Sequence, residues 1–160
     1  MTESAIAGEG EIQTPDSPEE VGKVNEFFNQ SNIKNDLHWF TYRDTLDRAY
    51  NRDDRRLFYT TNDSQIIGGL MVWCESRVLA ADEAQIRLVA VDPDNRGSGI
   101  GRQLCEQAEA FATECGPSRM IADVASDSPA VEFWTACGYE IVDEWQTTGG
   151  REMYQVEKPL

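Results

Sequence analysis

The sequence has 160 residues, of which 40% are hydrophobic, and this is enough for one domain with a hydrophobic core. Its 14 lysine and arginine residues are outnumbered by 29 acidic residues, so the formal net charge is −15. This charge disfavours nonspecific binding to nucleic acid or to an anionic membrane, and we expect neither as a partner. A single domain over residues 1–160 is the expected organisation.

The acidic residues are scattered along the chain, and arginine outnumbers lysine by eleven to three. This balance resembles that of proteins from halophilic, salt-accumulating microbes, and we interpret the charge as a general surface adaptation. The alternative interpretation is that the charge attracts a cationic substrate.

The first twenty residues contain neither a basic start nor an apolar segment, and no hydrophobic run has the length of a membrane helix. We therefore expect a cytoplasmic protein. The four cysteines lie far apart without a C-x-x-C pair, and the chain has one histidine. This pattern favours reduced structural thiols and predicts no metal site.

The N-terminal half predicts two helices and a hairpin. Residues 11–15 predict a short strand, and residues 37–50 predict the second helix. Two apolar strands around the turn Asn-Asp-Ser predict the hairpin, in which a Gly-Gly pair indicates a bulge. The first helix covers residues 16–30, with Val21, Val24, Phe27 and Phe28 at helical spacing; the hairpin strands are 56–62 and 65–76, with the pair at Gly68 and Gly69.

The C-terminal half alternates strands and helices. An apolar strand ends at an Asp-Pro turn, and the helix after it has an apolar residue at every third or fourth position. A later Ser-Pro pair predicts the start of another helix. The predicted elements are strand 84–91, helix 100–115, strand 118–125, a helix from Ser128-Pro129 to Gly138, and strands 139–145 and 151–160.

The segment "VDPDNRGSGIGRQL", residues 91–104, indicates an anion-binding loop. A strand, a glycine-rich turn and a helix direct several backbone N–H groups and the positive end of the helix dipole at one point. The chain has no Walker A lysine there, and Arg102 stands where a dinucleotide fingerprint requires glycine. The spacing that fits is R-x-x-G-x-G, from Arg96 to Gly101.

This loop resembles the pyrophosphate-binding motif of the GNAT superfamily of N-acyltransferases, which use acetyl-CoA or a related acyl-CoA. A second segment, "DSPAVEFWTACGYE", is similar to the family pattern N-x-x-A-x-x-F-Y-x-x-x-G-F. The resemblance covers residues 85–145, and the N-terminal half agrees only in element order. It implies a single mixed α/β domain, with a mostly antiparallel sheet of six or seven strands and about four helices.

The resemblance also implies the residues that hold acetyl-CoA. In the family, the strand before the loop splays from its neighbour and pairs with the pantetheine arm, the loop holds the pyrophosphate, and the later helix lines the thiol end. Asp127 stands where the family commonly has asparagine. The implied residues are Val89, Ala90 and Val91 on the strand; Arg96, Gly97, Ser98, Gly99, Ile100, Gly101 and Arg102 in the loop; and Ala130, Phe133 and Trp134 on the later helix.

The general base is less clear from the sequence. Many relatives carry a glutamate where this chain has Gln85, which cannot act as a base at neutral pH. Glu83 lies two residues earlier and shares the strand face of Gln85 if the strand extends that far. Asp123 is a further candidate, because it interrupts an apolar strand. For both carboxylates a structural role is the alternative.

The general acid is similarly displaced. Relatives commonly place a tyrosine where this chain has Trp134, whose indole N–H does not release a proton in this pH range. Tyr139 and Tyr154 are candidate acids, and protonation of the thiolate by solvent would need neither. The resemblance thus implies direct acetyl transfer to a primary amine of a small molecule or a protein, by a possible homodimer. The alternative is an acyl-CoA-binding sensor without turnover.

Overall fold

The computed structural model describes residues 11–30, 32–33 and 43–160. Its elements follow the predicted order from residue 16 onwards. The helices are α1 (Pro18–Phe28), α2 (Arg43–Asn51), α3 (Ile100–Cys115) and α4 (Ala130–Ala136), with a 3-10 turn at Pro93–Asn95. The strands are β1 (Arg55–Asn62), β2 (Gln65–Trp73), β3 (Glu83–Val91), β4 (Arg119–Ala125), β5 (Glu140–Gln146) and β6 (Glu152–Pro159).

The strands form a six-stranded sheet in the order β1-β2-β3-β4-β6-β5. Strands β3 and β4 run parallel, and the other neighbouring pairs are antiparallel. This confirms the predicted mixed α/β fold with a mostly antiparallel sheet.

The parallel pair opens after its first residues. Along these two fully described strands, backbone pairing joins Glu83 to Arg119, Ala84 to Met120 and Gln85 to Ile121, and goes no further. From Ile86 to Val91, β3 pairs only with β2 on its other edge. The sheet therefore contains a wedge-shaped opening that widens towards the loop at the end of β3.

Helices cover both faces of the sheet. Helices α3 and α4 pack on one face, where Leu104, Ala108 and Phe111 of α3 are buried as their spacing predicts. Helices α1 and α2 pack on the other face over β1 and β2, and all four predicted apolar residues of α1 are buried. Burial of these side chains is the main stabilising contribution to the layered fold.

One predicted element differs in the structure, and another is described only in part. Strand 11–15 is reduced to one antiparallel bridge between Gln13 and Tyr59. Pro15 has no amide to extend the pairing, and Ser17 already caps α1 by accepting from the amide of Glu20. The described part of the second helix is Arg43–Asn51, and residues 37–42 of the prediction lie outside the described residues.

Two β-bulges lie in β2 and β3, and β5 has a further register shift between Ile141 and Asp143. In β2 the extra residue is Ile67, directly before the Gly-Gly pair that indicated a bulge. In β3 the extra residue is Arg87, because Leu88 and Ile86 pair with consecutive residues of β2. A bulge bends its strand and re-aims a side chain. Within the described residues, no helix is both long and apolar enough to span a membrane.

Candidate active site

The loop after β3 presents open space above two glycines. Gly97 and Gly99 both have φ of +85°, a conformation that side chains other than glycine rarely adopt. A Cβ atom built at either residue would meet no described atom within 4 Å. The glycines are therefore required by the backbone and leave space for a ligand to approach it.

Helix α3 begins at this loop with free amides. The first residue after Gly99 whose amide donates to a helix carbonyl is Gln103, which bonds the Gly99 oxygen at 3.0 Å. Gly99 supplies no side-chain cap. The amides of the first turn and the positive end of the helix dipole thus point at the space above the glycines, and this arrangement binds anions.

Internal hydrogen bonds hold the loop in this shape. The carboxylate of Asp92 accepts from the amide of Asp94 at 3.1 Å, and the carbonyl of Asp92 accepts from the amide of Asn95 at 2.9 Å. The hydroxyl of Ser98 donates to the carbonyl of Asn95 at 2.8 Å. Ser98 therefore uses its side chain within the loop and offers its backbone to a ligand.

The two loop arginines have different surroundings. Arg96 donates from Nε to the carbonyl of Val91 at 3.2 Å, which keeps it beside the end of β3. Arg102 donates from Nη2 to the carbonyl of Ala136 at 2.5 Å, so it connects α3 to the last turn of α4. Arg96 is the better placed of the two for contact with an anion in the loop.

Helix α4 packs directly against the start of α3. A Cβ atom on Gly101 would lie 2.8 Å from Cε1 of Phe133, so glycine permits this close contact. Trp134 is only 4% exposed and packs edge-on against Phe133 and Tyr139, while Ala130 is half-buried. Asp127, in contrast, is exposed and forms an ion pair with Arg151 at 3.3 Å.

The opening between β3 and β4 leads from the loop into the middle of the sheet. Val89, Ala90 and Val91 are half-buried along one side of it, and each pairs with β2 on the other edge. Val89 and Val91 contact the core under α3, whereas Ala90 contacts the core under α1. Their backbone groups on the β4 side therefore line the opening.

Polar side chains converge on the α1 face of the sheet at the narrow end of the opening. Gln85 is 5% exposed, and its Nε2 donates to Oδ2 of Asp123 at 3.3 Å. Arg87 donates from Nη1 to Oε1 of Gln85 at 3.1 Å. One primary amide thus connects an arginine on the β3 bulge to a carboxylate on β4.

Asp123 has the properties of a base in this cluster. Burial raises the pKa of its carboxyl above the usual value of 3.8, and weaker contributions from the Trp145 indole, Arg87 and Gln85 oppose the rise. Its Oδ1 atom is buried and makes no hydrogen bond within the described residues. A buried carboxylate with a raised pKa accepts a proton more readily than an exposed one.

Glu83 lies outside this cluster. Its carboxylate pairs with Nη2 of Arg119 at 2.8 Å and accepts from the amide of Ala80 at 2.9 Å. Arg119 also pairs with Asp82 and Glu157. The parallel register sets Glu83 opposite Arg119. The glutamate therefore connects the start of β3 to the start of β4.

The candidate tyrosines both lie on the α3 face. Tyr139 is buried and donates its hydroxyl proton to Oε2 of Glu109 at 2.8 Å, while Lys158 pairs with the other oxygen of Glu109. Burial, the charge of Glu109 and this hydrogen bond raise the pKa of Tyr139 further above 10.0, which makes it a weaker acid. Tyr154 is half-buried on β6, where it pairs with Val124.

Three residues next to the cluster were missed by the sequence analysis. They are Trp73, Arg87 and Trp145, and they share the sheet face of Gln85 and Asp123. Arg87 interrupts the apolar run "AQIRLVAV" much as Asp123 interrupts its own strand, and that signal could have identified it. Within the described ranges, no three His, Cys, Asp or Glu side chains are grouped as metal ligands would be.

Fold and loop together define an acetyltransferase architecture, and comparison with known proteins supports this class. The model of the acetyltransferase (GNAT) family matches residues 23–139. The chain therefore belongs to this family. No curated protein matches the chain by sequence.

Solved structures share the fold at low sequence identity. YncA from Salmonella typhimurium, described as an acetyltransferase and solved with its cofactor acetyl-CoA, is 17% identical with a TM-score of 0.76, over 94% of this chain and 93% of that one. The ribosomal-protein-S18-alanine N-acetyltransferase from Escherichia coli is 17% identical with a TM-score of 0.70, over 93% and 92%. An aminoglycoside 6′-N-acetyltransferase complexed with coenzyme A is 13% identical with a TM-score of 0.74, over 93% and 96%.

Proposed function

We propose that the protein is an acetyl-CoA-dependent N-acetyltransferase that acetylates a primary amine of a small molecule or a protein directly. The observation that carries the proposal is the open space above Gly97 and Gly99, next to the free amides of α3 and at the mouth of the opening between β3 and β4. Family membership supports acetyl transfer as the general activity.

The loop and the opening fit the two chemical parts of the donor. The amides of the first turn of α3, with the guanidinium of Arg96, would hold the pyrophosphate. The free edge of β3 at Val89, Ala90 and Val91 would pair with the amide groups of the pantetheine arm, as a missing strand would. Helix α4 would close the far side through Phe133, which already contacts Gly101.

Asp123 is our proposed general base. The acceptor arrives as an ammonium ion, and Oδ1 of Asp123 can accept one of its protons while Gln85 holds Oδ2 in place. The bound thioester supplies the acetyl group: the amine nitrogen forms the C–N bond and then loses its second proton to water, the C–S bond breaks, and the sulfur leaves as a thiolate. Water can protonate the thiolate, because the hydroxyl of Tyr139 is committed to Glu109.

Calorimetric titration of acetyl-CoA into wild type and the Gly99→Ala variant tests the donor site. The added methyl occupies the proposed phosphate space, and we expect affinity to fall by about tenfold or more. Gly150→Ala is the matched control, because Gly150 has φ of +87° and equally open space but lies in the turn between β5 and β6. Both variants place alanine at a similar positive φ, so a larger loss of affinity in Gly99→Ala reports a ligand at the loop.

A panel of primary amines then tests the reaction through release of the thiol. Release that depends on both acetyl-CoA and an amine supports the proposal. Equal affinities of the Gly99→Ala and Gly150→Ala variants would contradict the loop assignment. Saturable acetyl-CoA binding with no turnover of any amine would contradict acetyl transfer.

A further inference from the structure

Two arginines flank one tryptophan beside the Gln85 and Asp123 cluster. The guanidinium carbons of Arg55 and Arg87 lie 3.6 Å and 4.5 Å from the ring centroid of Trp73. Side chains alternate between the faces of a sheet, so Arg55, Trp73, Gln85 and Asp123 share the α1 face. We call Arg55, Trp73 and Arg87 the arginine–tryptophan cluster.

Arg55 and Arg87 donate to neutral groups: Nη2 of Arg55 to the carbonyl of Glu75 at 3.5 Å, and Nη1 of Arg87 to Oε1 of Gln85 at 3.1 Å. Ion pairs with carboxylates are formed by Arg43, Arg52, Arg119, Arg151 and Lys158. Within the described residues, neither Arg55 nor Arg87 lies within ion-pairing distance of a carboxylate, although the chain has 29 acidic residues. Burial, followed by the charge of Arg52, lowers the pKa of Arg55; the charges of Asp54 and Glu75 oppose this, and that of Arg87 adds to it.

The cluster also contains donors without acceptors. Nε of Arg55 and Nε1 of Trp73 are buried and make no hydrogen bond within the described residues. Arginine and the indole N–H can only donate, so both atoms require an acceptor. Leaving such groups unpaired costs free energy, and an anionic group bound there would remove the cost.

The spacing connects this cluster to the proposed base. Arg87 donates to one end of the Gln85 amide, and the other end donates to Asp123. An amine at Asp123 and an anion at Arg87 would thus be separated by about one primary amide and its two hydrogen bonds. That separation fits two groups of one small molecule.

We propose that the arginine–tryptophan cluster binds an acidic group of the acceptor, so that the acceptor is a small primary amine carrying a carboxylate or a phosphate. This inference rests on the proposed acetyl transfer. It goes against the alternative that the charge of the chain attracts a cationic substrate, because two arginines lie next to the proposed base.

The test compares three series of acceptors with the same chain lengths: ω-amino carboxylic acids, ω-aminoalkyl phosphates and plain alkylamines. With wild type we expect one acidic series to exceed the alkylamines in kcat/KM by about tenfold or more. The carboxylate and phosphate series distinguish the two acidic groups. The chain length that performs best reports the separation between Asp123 and Arg87.

The Arg87→Gln variant tests the residue itself. We expect kcat/KM for the acidic series to fall by about tenfold or more beyond any loss seen with the alkylamines, and the KM for acetyl-CoA to stay unchanged, because both series share any effect of Arg87 on Gln85 and Asp123. Arg87→Lys should recover part of the loss. Arg77→Gln is the matched control, since it removes the same charge from an exposed loop residue.

Other outcomes overturn the inference in distinguishable ways. Equal use of all three series, or a preference for diamines, would overturn it and leave the proposed acetyl transfer standing. Equal losses for all acceptors in Arg87→Gln, with a lower melting temperature, would assign Arg87 a structural role instead. Turnover of no amine in any series would contradict both proposals.

Discussion

The burial of Asp123 has opposite effects on catalysis and on stability. Burial next to Gln85 raises its pKa, which suits proton transfer, but it also makes the charged form costly in the folded protein. Glu83, at the start of β3, is held in an ion pair with Arg119. The two candidates are therefore separable by experiment.

The pH dependence of turnover should distinguish the two carboxylates. We expect Asp123→Asn to lower kcat/KM at neutral pH by about a hundredfold or more and to recover part of it at high pH, where the amine is already deprotonated. Glu83→Gln should keep the wild-type profile, because its carboxylate contacts Arg119 rather than the opening. If Asp123→Asn keeps the wild-type pH profile and Glu83→Gln loses turnover at neutral pH, Glu83 and not Asp123 is the general base.

Asp123→Asn, which should lower turnover, should raise the stability of the folded protein. Because the pKa of Asp123 is raised on folding, the folded state binds more protons than the unfolded chain between the two pKa values, and stability falls as pH rises through that range. We expect Asp123→Asn to be more stable than wild type at pH 7, with the gain disappearing towards pH 3.8 and below. Urea denaturation of both proteins between pH 3 and pH 7 measures this gain. A difference in unfolding free energy that does not change with pH would mean that the buried charge of Asp123 is not its cause.

At the scale of elements, the position of α3 determines where the loop lies. A Cβ atom on Gly68 of β2 would be 2.9 Å from Cγ2 of Ile100 and 3.2 Å from Cδ1 of Leu104. The first turn of α3 therefore rests directly on the backbone of β2. This contact fixes the height of the free amides above the sheet.

Two neighbouring glycines allow this to be tested. Gly68→Ala should cost about 1–3 kcal/mol of unfolding free energy through overpacking and should also weaken acetyl-CoA binding, because it pushes α3 away from β2. Gly69→Ala meets Cζ of Phe28 at 3.1 Å on the opposite face, so it should cost stability without changing that affinity. Chemical denaturation and calorimetry on both variants check this. Equal acetyl-CoA affinities of the two variants would mean that the position of α3 does not affect binding.

Local patterns predicted most of these elements, whereas the site depends on pairing between strands. The helical spacing of apolar residues predicted α1, whose buried residues are Val21, Val24, Phe27 and Phe28. The glycines predicted the loop by residue type alone, because glycine readily adopts positive φ. The bulge at Arg87 arises from the register of β3 against β2, which no single strand encodes. For the same reason the contacts of Glu83 with Arg119 and of Arg55 with Trp73 could not be read from the sequence.

The whole molecule carries a net charge of −15, and most of its described ion pairs are at least partly exposed. Exposed pairs contribute little, so the net repulsion between carboxylates outweighs them. The local positive charge at the arginine–tryptophan cluster and the loop stands out against this background.

Salt should therefore stabilise the protein. We expect the melting temperature to rise by roughly 5 °C or more between 0.01 M and 1 M potassium chloride, as the screening length falls from about 30 Å to about 3 Å. Thermal unfolding followed by circular dichroism checks the rise. A melting temperature that is constant or falls over this range would mean that specific ion pairs outweigh the general repulsion.

The wedge between β3 and β4 has a consequence for the exchange of backbone hydrogens with solvent. A strand paired on one edge directs alternate amides to its partner and the rest outwards, so along Leu88–Val91 slow and fast exchange should alternate residue by residue. Acetyl-CoA should slow only the fast members of this series, which would be seen by NMR-detected deuterium exchange. The ligand would then pair with the free edge of β3 as a further strand would. The number of fast-exchanging amides in the free protein would show how many backbone groups of β3 are unpaired on the β4 side.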